Sequence, residues 1–407
     1  MKKIKYVILL LLIILNTGCW NYKELNQIAI VSALGFDIEE DEYVVSLQVL
    51  SNQKIGSGNS GELEGQSPVI LYIGKGKSVR DAITEAMLSI PREIYLGHIE
   101  IAIIGEELAR KGIMPIVDFL LRYRKIRKIY PMLVADNDTA LNILKILTRL
   151  ETIPSNNIKE LLEKVADEKS TVSNRTFDEV LECLYVPGRE ATMSSIQKIV
   201  YDDEEKGETT ENVESLLPNV QLKSGGAAIF FEDKLRGFLD TDTSVGYNFI
   251  RNHVDNAHIS FPCDDEDNYG TAFITKAKRE FKIEFIDDKP LFNINIKTDA
   301  VISEITCEIE VEKPKNIKVI EKAINKRIKE VIEEIMSILQ NDFKSDPTGF
   351  GEQLYRNHYK YWKKHEKNWE NIFLTVDYKV KVETKINNVG AISTHSRKRD
   401  EDEQLRK

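Results

Sequence analysis

The stretch IKVIEKAINKRIKEVIEEIMSILQNDF, residues 317–343, decides the fold of the second half of the chain. Its apolar residues recur at intervals of three and four, which predicts a long amphipathic helix. These residues are Ile320, Ile324, Ile328, Val331, Ile335 and Ile338. A Gly-Phe-Gly turn at 349–351 then leads to a second predicted helix, about 352–370. Residues 373–386 alternate apolar and polar side chains, which predicts a closing strand.

The sequence before the long helix predicts β-structure. Residues 226–239 carry a hairpin signal, and strands are expected near 257–262, 270–286 and 290–300. This order predicts a C-terminal α+β domain, residues 218–392, in which an antiparallel sheet is packed by two long helices.

The first half alternates predicted strands and helices between residues 28 and 168. We expect an N-terminal α+β region, residues 19–200, either as one unit or as two subdomains that divide near residue 150. Residues 202–214 (DDEEKGETTENVE) hold seven acidic side chains and one lysine, so 201–217 is predicted as an acidic linker. The charged tail, 393–407, is predicted to be disordered. The fold class is therefore α+β and multi-domain, with mixed or antiparallel sheets packed by helices.

Composition excludes some classes of function. The 407 residues include 56 Lys and Arg against 66 Asp and Glu, a formal charge of −10. An acidic chain lacks the basic footprint of a general nucleic-acid binder, so we expect no nucleic-acid partner. No run reaches the 18 to 20 apolar residues of a spanning helix, which excludes a multi-span membrane protein.

The N-terminus carries a targeting signal. Three lysines at positions 2, 3 and 5 precede VILLLLIIL, residues 7–15, and Gly18-Cys19 follows. The apolar run is long enough for a signal peptide and too short to span a bilayer. A small residue followed by cysteine resembles a bacterial lipobox, which implies a signal peptide over 1–18 and a diacylglyceryl group on Cys19. An ordinary secretory signal and an uncleaved tether are the alternatives.

Three other cysteines remain: Cys183, Cys263 and Cys307. An odd number leaves at least one of them unpaired. Cys183 and Cys307 have apolar neighbours in sequence, which favours buried, hydrophobic roles over a structural disulfide.

The sequence motifs that suggest nucleotide or metal binding lack the neighbouring residues that such sites need. GSGNSG, residues 56–61, is not followed by a helix-opening sequence, and GKGKS, residues 74–78, lacks the upstream glycine of a phosphate loop. The acidic turn 264–268 does not complete a calcium loop, and the six histidines have no metal-ligand spacing. We therefore predict no catalytic residue, no metal and no cofactor, and we expect the protein not to be an enzyme.

One basic and aromatic segment needs its own interpretation. In YRNHYKYWKKHEKNW, residues 355–369, the aromatic side chains share one face at helical spacing and the lysines lie largely elsewhere. This favours a core-facing stripe with a solvated basic face. Contact with a partner or with lipid headgroups is the alternative.

Several blocks resemble the Ger(x)C family, the lipoprotein C subunits of spore nutrient germinant receptors. They are GCWNYKEL (18–25), GFD (35–37), GH (97–98), IIGEELARKGI (103–113), DFLLR (118–122), GAAIFFEDKLRGFLD (226–240) and DPTGFGEQLYRNHYKYWKKHEKNWENIF (346–373). The last block, with Gly349, Phe350, Gly351, Trp362 and Trp369 in family positions, is the most specific. Residues 150–220 match poorly.

The resemblance implies a non-enzymatic, lipid-anchored subunit on the outer face of the inner spore membrane, needed for nutrient-triggered germination. Its implied partners are the integral membrane A and B subunits, with Cys19 holding the lipid. We interpret its role as that of a scaffold or interaction subunit. The alternatives are a substrate-binding lipoprotein of an importer and a cell-wall hydrolase. Gly349 and Gly351 are expected to form a tight turn, with positive φ as an option.

Overall fold

The computed structural model describes residues 24–51, 67–171, 175–263, 268–306, 309–311 and 313–388. Two sheets organise these residues. The strands of the first sheet are β1 (Ile28–Glu39), β2 (Glu42–Leu50), β3 (Val69–Gly76), β4 (Glu93–Tyr95), β5 (Ile101–Ile104), β6 (Met132–Ala135), β7 (Thr192–Val200), β8 (Val220–Phe231) and β9 (Lys234–Phe238). Those of the second are β10 (Ala257–Pro262), β11 (Tyr269–Ile286), β12 (Lys289–Ile305) and β13 (Asp377–Asn388).

The helices follow in chain order. They are α1 (Val79–Met87), α2 (Glu106–Lys111), α3 (Met114–Arg122), α4 (Ala140–Lys145), α5 (Pro154–Lys169), α6 (Phe177–Tyr185), α7 (Glu211–Glu214), α8 (Thr241–Arg251), α9 (Pro314–Ser337), α10 (Phe350–Asn357), α11 (Tyr359–His365) and α12 (Trp369–Phe373). Single 3₁₀ turns occur at Leu25–Gln27, Glu205–Glu208 and Glu366–Asn368, and a π-helical turn at Ile338–Phe343.

The first sheet is mixed, with the order β3-β2-β1-β5-β6-β7-β8-β9 and β4 beside β1. Its centre, β1-β5-β6-β7, is parallel and its flanks are antiparallel. Neighbouring residues in these strands enter different cores, since side chains alternate between the two faces. Phe36, Ile104 and Val134 pack with α1, α2, α3 and α6, whereas Ala33 and Ile103 pack with α4 and α5. A central sheet covered on both faces accounts for its fully apolar strands.

The second sheet, β10-β11-β12-β13, packs against α9. The predicted apolar face of α9 is buried at Ile320, Ile324, Ile328, Val331 and Ile335, as the three-and-four spacing indicated. The sheet is not purely antiparallel, because β13 pairs with β12 in parallel. The chain between those two strands contains the whole helical segment from α9 to α12, which allows β13 to run in the same direction as β12.

The two sheets are interlocked rather than separated by a linker. The expected linker, residues 201–217, connects β7 to β8, and these strands pair with each other in the first sheet. Asn212 in that segment is buried: its side chain accepts from the Val220 amide and donates to the Leu147 carbonyl. β8 serves both halves, since Ala228 faces the first core and Ile229 the second. The start of the expected C-terminal domain thus belongs to the first sheet.

The predicted second long helix, 352–370, is broken into α10, α11, a 3₁₀ turn and α12. His358, with φ −136° and ψ 50°, interrupts it between α10 and α11. Helices α6 and α8 were not predicted; α8 is buried along almost its whole length and so lacks a polar face to mark its period.

The cysteines divide between two states. Cys183 is buried and free, as its apolar neighbours indicated. Cys263 is disulfide-bonded, so the expectation that no structural disulfide forms was wrong.

Candidate functional site at the junction of the two sheets

Cys19, the one functional residue that the sequence predicted, lies outside the described residues, so its lipidation stays a prediction. The GSGNSG motif (56–61) and most of the acidic turn (264–268) also lie outside them. The GKGKS segment is a strand-to-helix turn in which Ser78 caps α1 by accepting from the Asp81 amide. Gly74 and Gly76 allow α1 to lie against β3, because an added Cβ would come within 2.1 and 2.6 Å of the Ala82 backbone. This confirms a structural role for the segment.

The most elaborate polar site of the described residues is centred on Asp346, which is 4% exposed. Its carboxylate accepts five hydrogen bonds, from the Thr348 hydroxyl (2.5 Å), the amides of Gly349 (2.9 Å), Phe350 (3.2 Å) and Gly351 (2.9 Å), and the Trp369 indole (3.0 Å). We call Asp346 and these five donors the hub. Burial raises the pKa of Asp346, and the hydrogen bonds oppose that rise.

The hub arises from the sequence Asp-Pro-Thr-Gly-Phe-Gly. Gly349 caps α10 with φ +80°, a conformation that costs glycine little. Asp346 lies just before α10, where a carboxylate satisfies the free amides of the first turn. Gly351 has a different role: an added Cβ would lie 2.5 Å from the Trp369 indole nitrogen. The expected tight turn is confirmed, with positive φ at Gly349 and not at Gly351.

The hub also joins the two halves of the chain. The Glu190 amide donates to the Asp346 carbonyl (3.0 Å), and the Glu352 amide donates to the Gly188 carbonyl (2.7 Å). Gly188 has φ +82°, and an added Cβ would lie 2.4 Å from the Gly351 carbonyl carbon. The segment that enters β7 is therefore in direct backbone contact with the start of α10.

Ion pairs surround this contact. Glu352, with its side chain 5% exposed, pairs with Arg356 (2.6 Å), Arg189 (3.2 Å) and Arg251 (3.9 Å). Arg251 also donates to the Thr348 carbonyl at 2.8 Å. Buried ion pairs contribute little net stability, but removal of one partner is costly because the other charge stays buried. Three elements distant in sequence are thus held in one geometry.

The aromatic stripe packs beneath the hub. Leu354, Trp362 and Trp369 are buried, and the two indole rings lie 5.7 Å apart. Tyr355 and Tyr359 are exposed, as are the lysines of the segment, Lys360, Lys363, Lys364 and Lys367. The interpretation as a core-facing stripe with a basic outer face is confirmed for the tryptophans and the lysines.

The site is built for structure rather than proton transfer. Five donors occupy the two oxygens of Asp346, so this carboxylate has little capacity left to act as a base. Among the residues that the structure describes, no group of three or more His, Cys, Asp or Glu side chains could hold a metal ion. In the same part of the chain, no helix is both long and apolar enough to cross a membrane.

Sequence reasoning identified Gly349, Gly351 and Trp369 of the hub, and Trp362 beneath it. It did not identify Asp346 or the ion-pair residues Arg189, Arg251 and Glu352. An aspartate three residues before a glycine is a turn signal that could have identified Asp346. The arginines come from separate elements, so no spacing along the sequence brings them together.

Two interlocked sheets with a buried polar hub at their junction define the class, a two-sheet α+β protein. Comparisons with known proteins then give the family. Residues 21–198 match the model of the spore germination protein N-terminal domain, and residues 225–390 match the model described as spore germination B3/GerAC like, C-terminal. The chain belongs to the Ger(x)C family of spore germination proteins.

Individual relatives match along their length. The chain is 29% identical to spore germination protein KC of Bacillus subtilis (strain 168) over 94% of this chain and 95% of the relative. It is 22% identical to spore germination protein B3 of the same organism over 95% and 98%. The crystal structure of the GerBC protein, 20% identical, superposes with a TM-score of 0.53 and covers 87% of this chain and 97% of that one. The last comparison supports the fold.

Proposed function

We propose that this chain is the lipid-anchored C subunit of a spore germinant receptor. The observation that carries the proposal is the full-length match to spore germination proteins, together with the Gly18-Cys19 lipobox ahead of the matched region. In this proposal the lipid on Cys19 holds the protein on the outer face of the inner spore membrane. The protein acts there as a scaffold for the integral A and B subunits and has no catalytic step of its own.

Chain geometry supports an orientation for this scaffold. Ile28, where β1 begins, lies nine positions after Cys19. A chain of that length spans at most about 30 Å when fully extended. The N-terminal end of β1 therefore stays close to the bilayer, and β4, which pairs with that end through Ile28–Glu93, faces the same side. Anchoring raises the effective concentration of the surface near the membrane for integral partners.

The test is a pull-down of the full-length protein from detergent-solubilised spore membranes, with the recovered proteins identified by mass spectrometry. We expect two integral membrane proteins with the wild type and loss of both with Cys19→Ala. Cys183→Ala is the matched control, because it removes a cysteine that is buried and free. Labelling with radioactive palmitate should mark the wild type and the control but not Cys19→Ala.

Other recoveries would contradict the proposal. Importer permease and ATPase subunits in the eluate would favour the substrate-binding alternative. Unchanged recovery of both integral proteins with Cys19→Ala would show that the lipid is not needed for assembly.

A further inference from the structure

Four arginines from four separate segments of the chain converge next to the hub. Arg189 and Arg251 share Glu352, Arg175 lies 3.3 Å from the His253 ring nitrogen Nδ1, and Arg279 donates to the Ile250 carbonyl at 2.6 Å. The Arg279 amide also donates to the Asn252 side chain at 2.6 Å, so Arg279 contacts the residues on both sides of Arg251. We call Arg175, Arg189, Arg251 and Arg279 the arginine cluster.

The cluster is buried, and its donors are not used up. The side chains of Arg175, Arg189 and Arg251 are only 9 or 10% exposed. In all four arginines the guanidinium Nε is buried without a hydrogen-bond partner among the described residues. A buried donor without a partner is unfavourable, and more so when it is charged. Four such donors at one place are an uncommon arrangement.

Local carboxylates do not balance the charge. Ion pairs within 4 Å connect Arg175 to Glu179, Arg189 to Glu182, and both Arg189 and Arg251 to Glu352, which also pairs with Arg356. Four guanidinium groups thus share three carboxylates, and Glu179 and Glu182 are close to half exposed. Within the described residues Arg279 has no carboxylate partner; it lies over the Phe281 ring at 4.9 Å.

His253 lies between the arginine cluster and solvent. The residue is solvent-exposed, whereas the arginines behind it are buried. Partial desolvation on its protein-facing side, and then the four arginines, lower the pKa of His253 to about 3. A neutral imidazole accepts a hydrogen bond from Arg175 and adds no further positive charge to the arginine cluster.

We propose that the arginine cluster binds a small oxyanion of the phosphate or carboxylate type, which enters beside His253. Guanidinium groups bind such oxyanions with paired, charge-assisted hydrogen bonds. A bound anion satisfies the free Nε donors and offsets the repulsion among the arginines. Water supplies hydrogen bonds but no negative charge. The two sources of this chemistry are a free anion and the headgroup of an acidic lipid.

The first experiment titrates the full-length detergent-solubilised wild type with inorganic phosphate, with sodium chloride at matched ionic strength as the reference salt. Calorimetry should show saturable binding with a Kd of about 1 mM or tighter, and the unfolding temperature should rise with phosphate beyond the rise in chloride. Absence of saturable phosphate binding to the folded wild type would overturn the proposal whatever the variants do.

A variant then locates the site. Arg279→Gln removes the arginine that has no carboxylate partner and should weaken phosphate binding about tenfold. Arg110→Gln is the matched control, because Arg110 pairs with Glu106 on α2, away from the cluster. Equal affinity in wild type and Arg279→Gln would place the bound phosphate elsewhere and overturn the assignment. If Arg279→Gln fails to fold, Arg175→Gln takes its place with the same expectation.

Vesicles distinguish the two sources. If the headgroup is the ligand, phosphatidylglycerol vesicles should displace bound phosphate from the wild type and phosphatidylcholine vesicles should not. If the ligand is a free anion, phosphate binding should be unchanged by either vesicle.

Discussion

Two buried aspartates, one in each sheet region, cap helices in different ways. Asp37 on β1 accepts from the amides of Ala140 (2.7 Å) and Leu141 (3.0 Å), at the start of a helix more than a hundred residues away. Asp346 accepts from five donors, four of them within the five residues that follow it. Asp37 thus joins distant parts of one region, whereas Asp346 first fixes its own loop and then docks it.

We expect the number of donors to govern how well each buried carboxylate is compensated. Burial raises the pKa of Asp37 to about 6, against the opposing hydrogen bonds from Ala140 and Leu141. Two donors therefore leave part of the desolvation cost uncompensated. Four N–H groups, which can only donate, contact the Asp346 carboxylate and favour its charged form, because a protonated oxygen could donate only to the Thr348 hydroxyl. The hub depends on that charge, and the Asp37 site depends on it less.

Asp346→Asn should have the largest effect on this comparison. The new amide group would face the donors from Gly351 and Trp369, and several buried N–H groups would lose their acceptor. We expect a loss of about 3–5 kcal/mol in the free energy of unfolding. Urea unfolding followed by tryptophan fluorescence measures it, because Trp369 is part of the hub and Trp362 packs against it.

Asp242→Asn is the matched control for that measurement. Asp242 is an exposed aspartate in the first turn of α8, so its replacement should cost no more than about 0.5 kcal/mol. A similar small loss for Asp346→Asn would contradict the view that the hub holds the junction together.

Asp37→Asn should have a smaller effect at pH 8, about 1–2 kcal/mol. The amide oxygen keeps one of the two hydrogen bonds, and loss of the buried charge partly offsets loss of the other. The folded-state pKa of about 6 lies above the ordinary value of 3.8, so the wild type gains stability as the pH falls through 6 towards 4. The deficit of Asp37→Asn should therefore be larger at pH 5 than at pH 8, as urea unfolding at both pH values can check.

These comparisons show which features of the fold could be predicted from the sequence. The apolar face of α9 was predicted correctly because it follows from local spacing. The parallel placement of β13 and the shared strand β8 were not, since strand order depends on which faces remain to be covered after the helices pack.

The site shows the same limit. A glycine with positive φ at residue 349 follows from its own turn, and sequence reasoning anticipated it. The meeting of Arg189, Arg251 and Glu352 comes from elements separated by 62 and 101 residues, counted from 189 to 251 and from 251 to 352. No local pattern encodes that meeting. The acidic composition of segment 201–217 likewise gives no sign that Asn212 is buried, because its side chain donates to the Leu147 carbonyl, 65 residues away.

A third carboxyl, the partly buried Glu190, has one donor and gives the smallest expected effect. Glu190 accepts from the Glu232 amide at 2.6 Å, and burial raises its pKa to about 7. Since this value exceeds the ordinary 4.5, the carboxyl favours the folded state at low pH, and this contribution is lost as the pH rises through 7. Glu190→Gln keeps an acceptor for Glu232 and carries no charge. Glu190→Gln should therefore be more stable than wild type at pH 8.5, by no more than about 1 kcal/mol because Glu190 is only partly buried, and equal to wild type at pH 5.

Glu85→Gln, an exposed site on α1, should change stability equally at both pH values. A destabilised Glu190→Gln at pH 8.5 would mean that one donor compensates the buried charge as well as five do, and the ordering by donor number would fail.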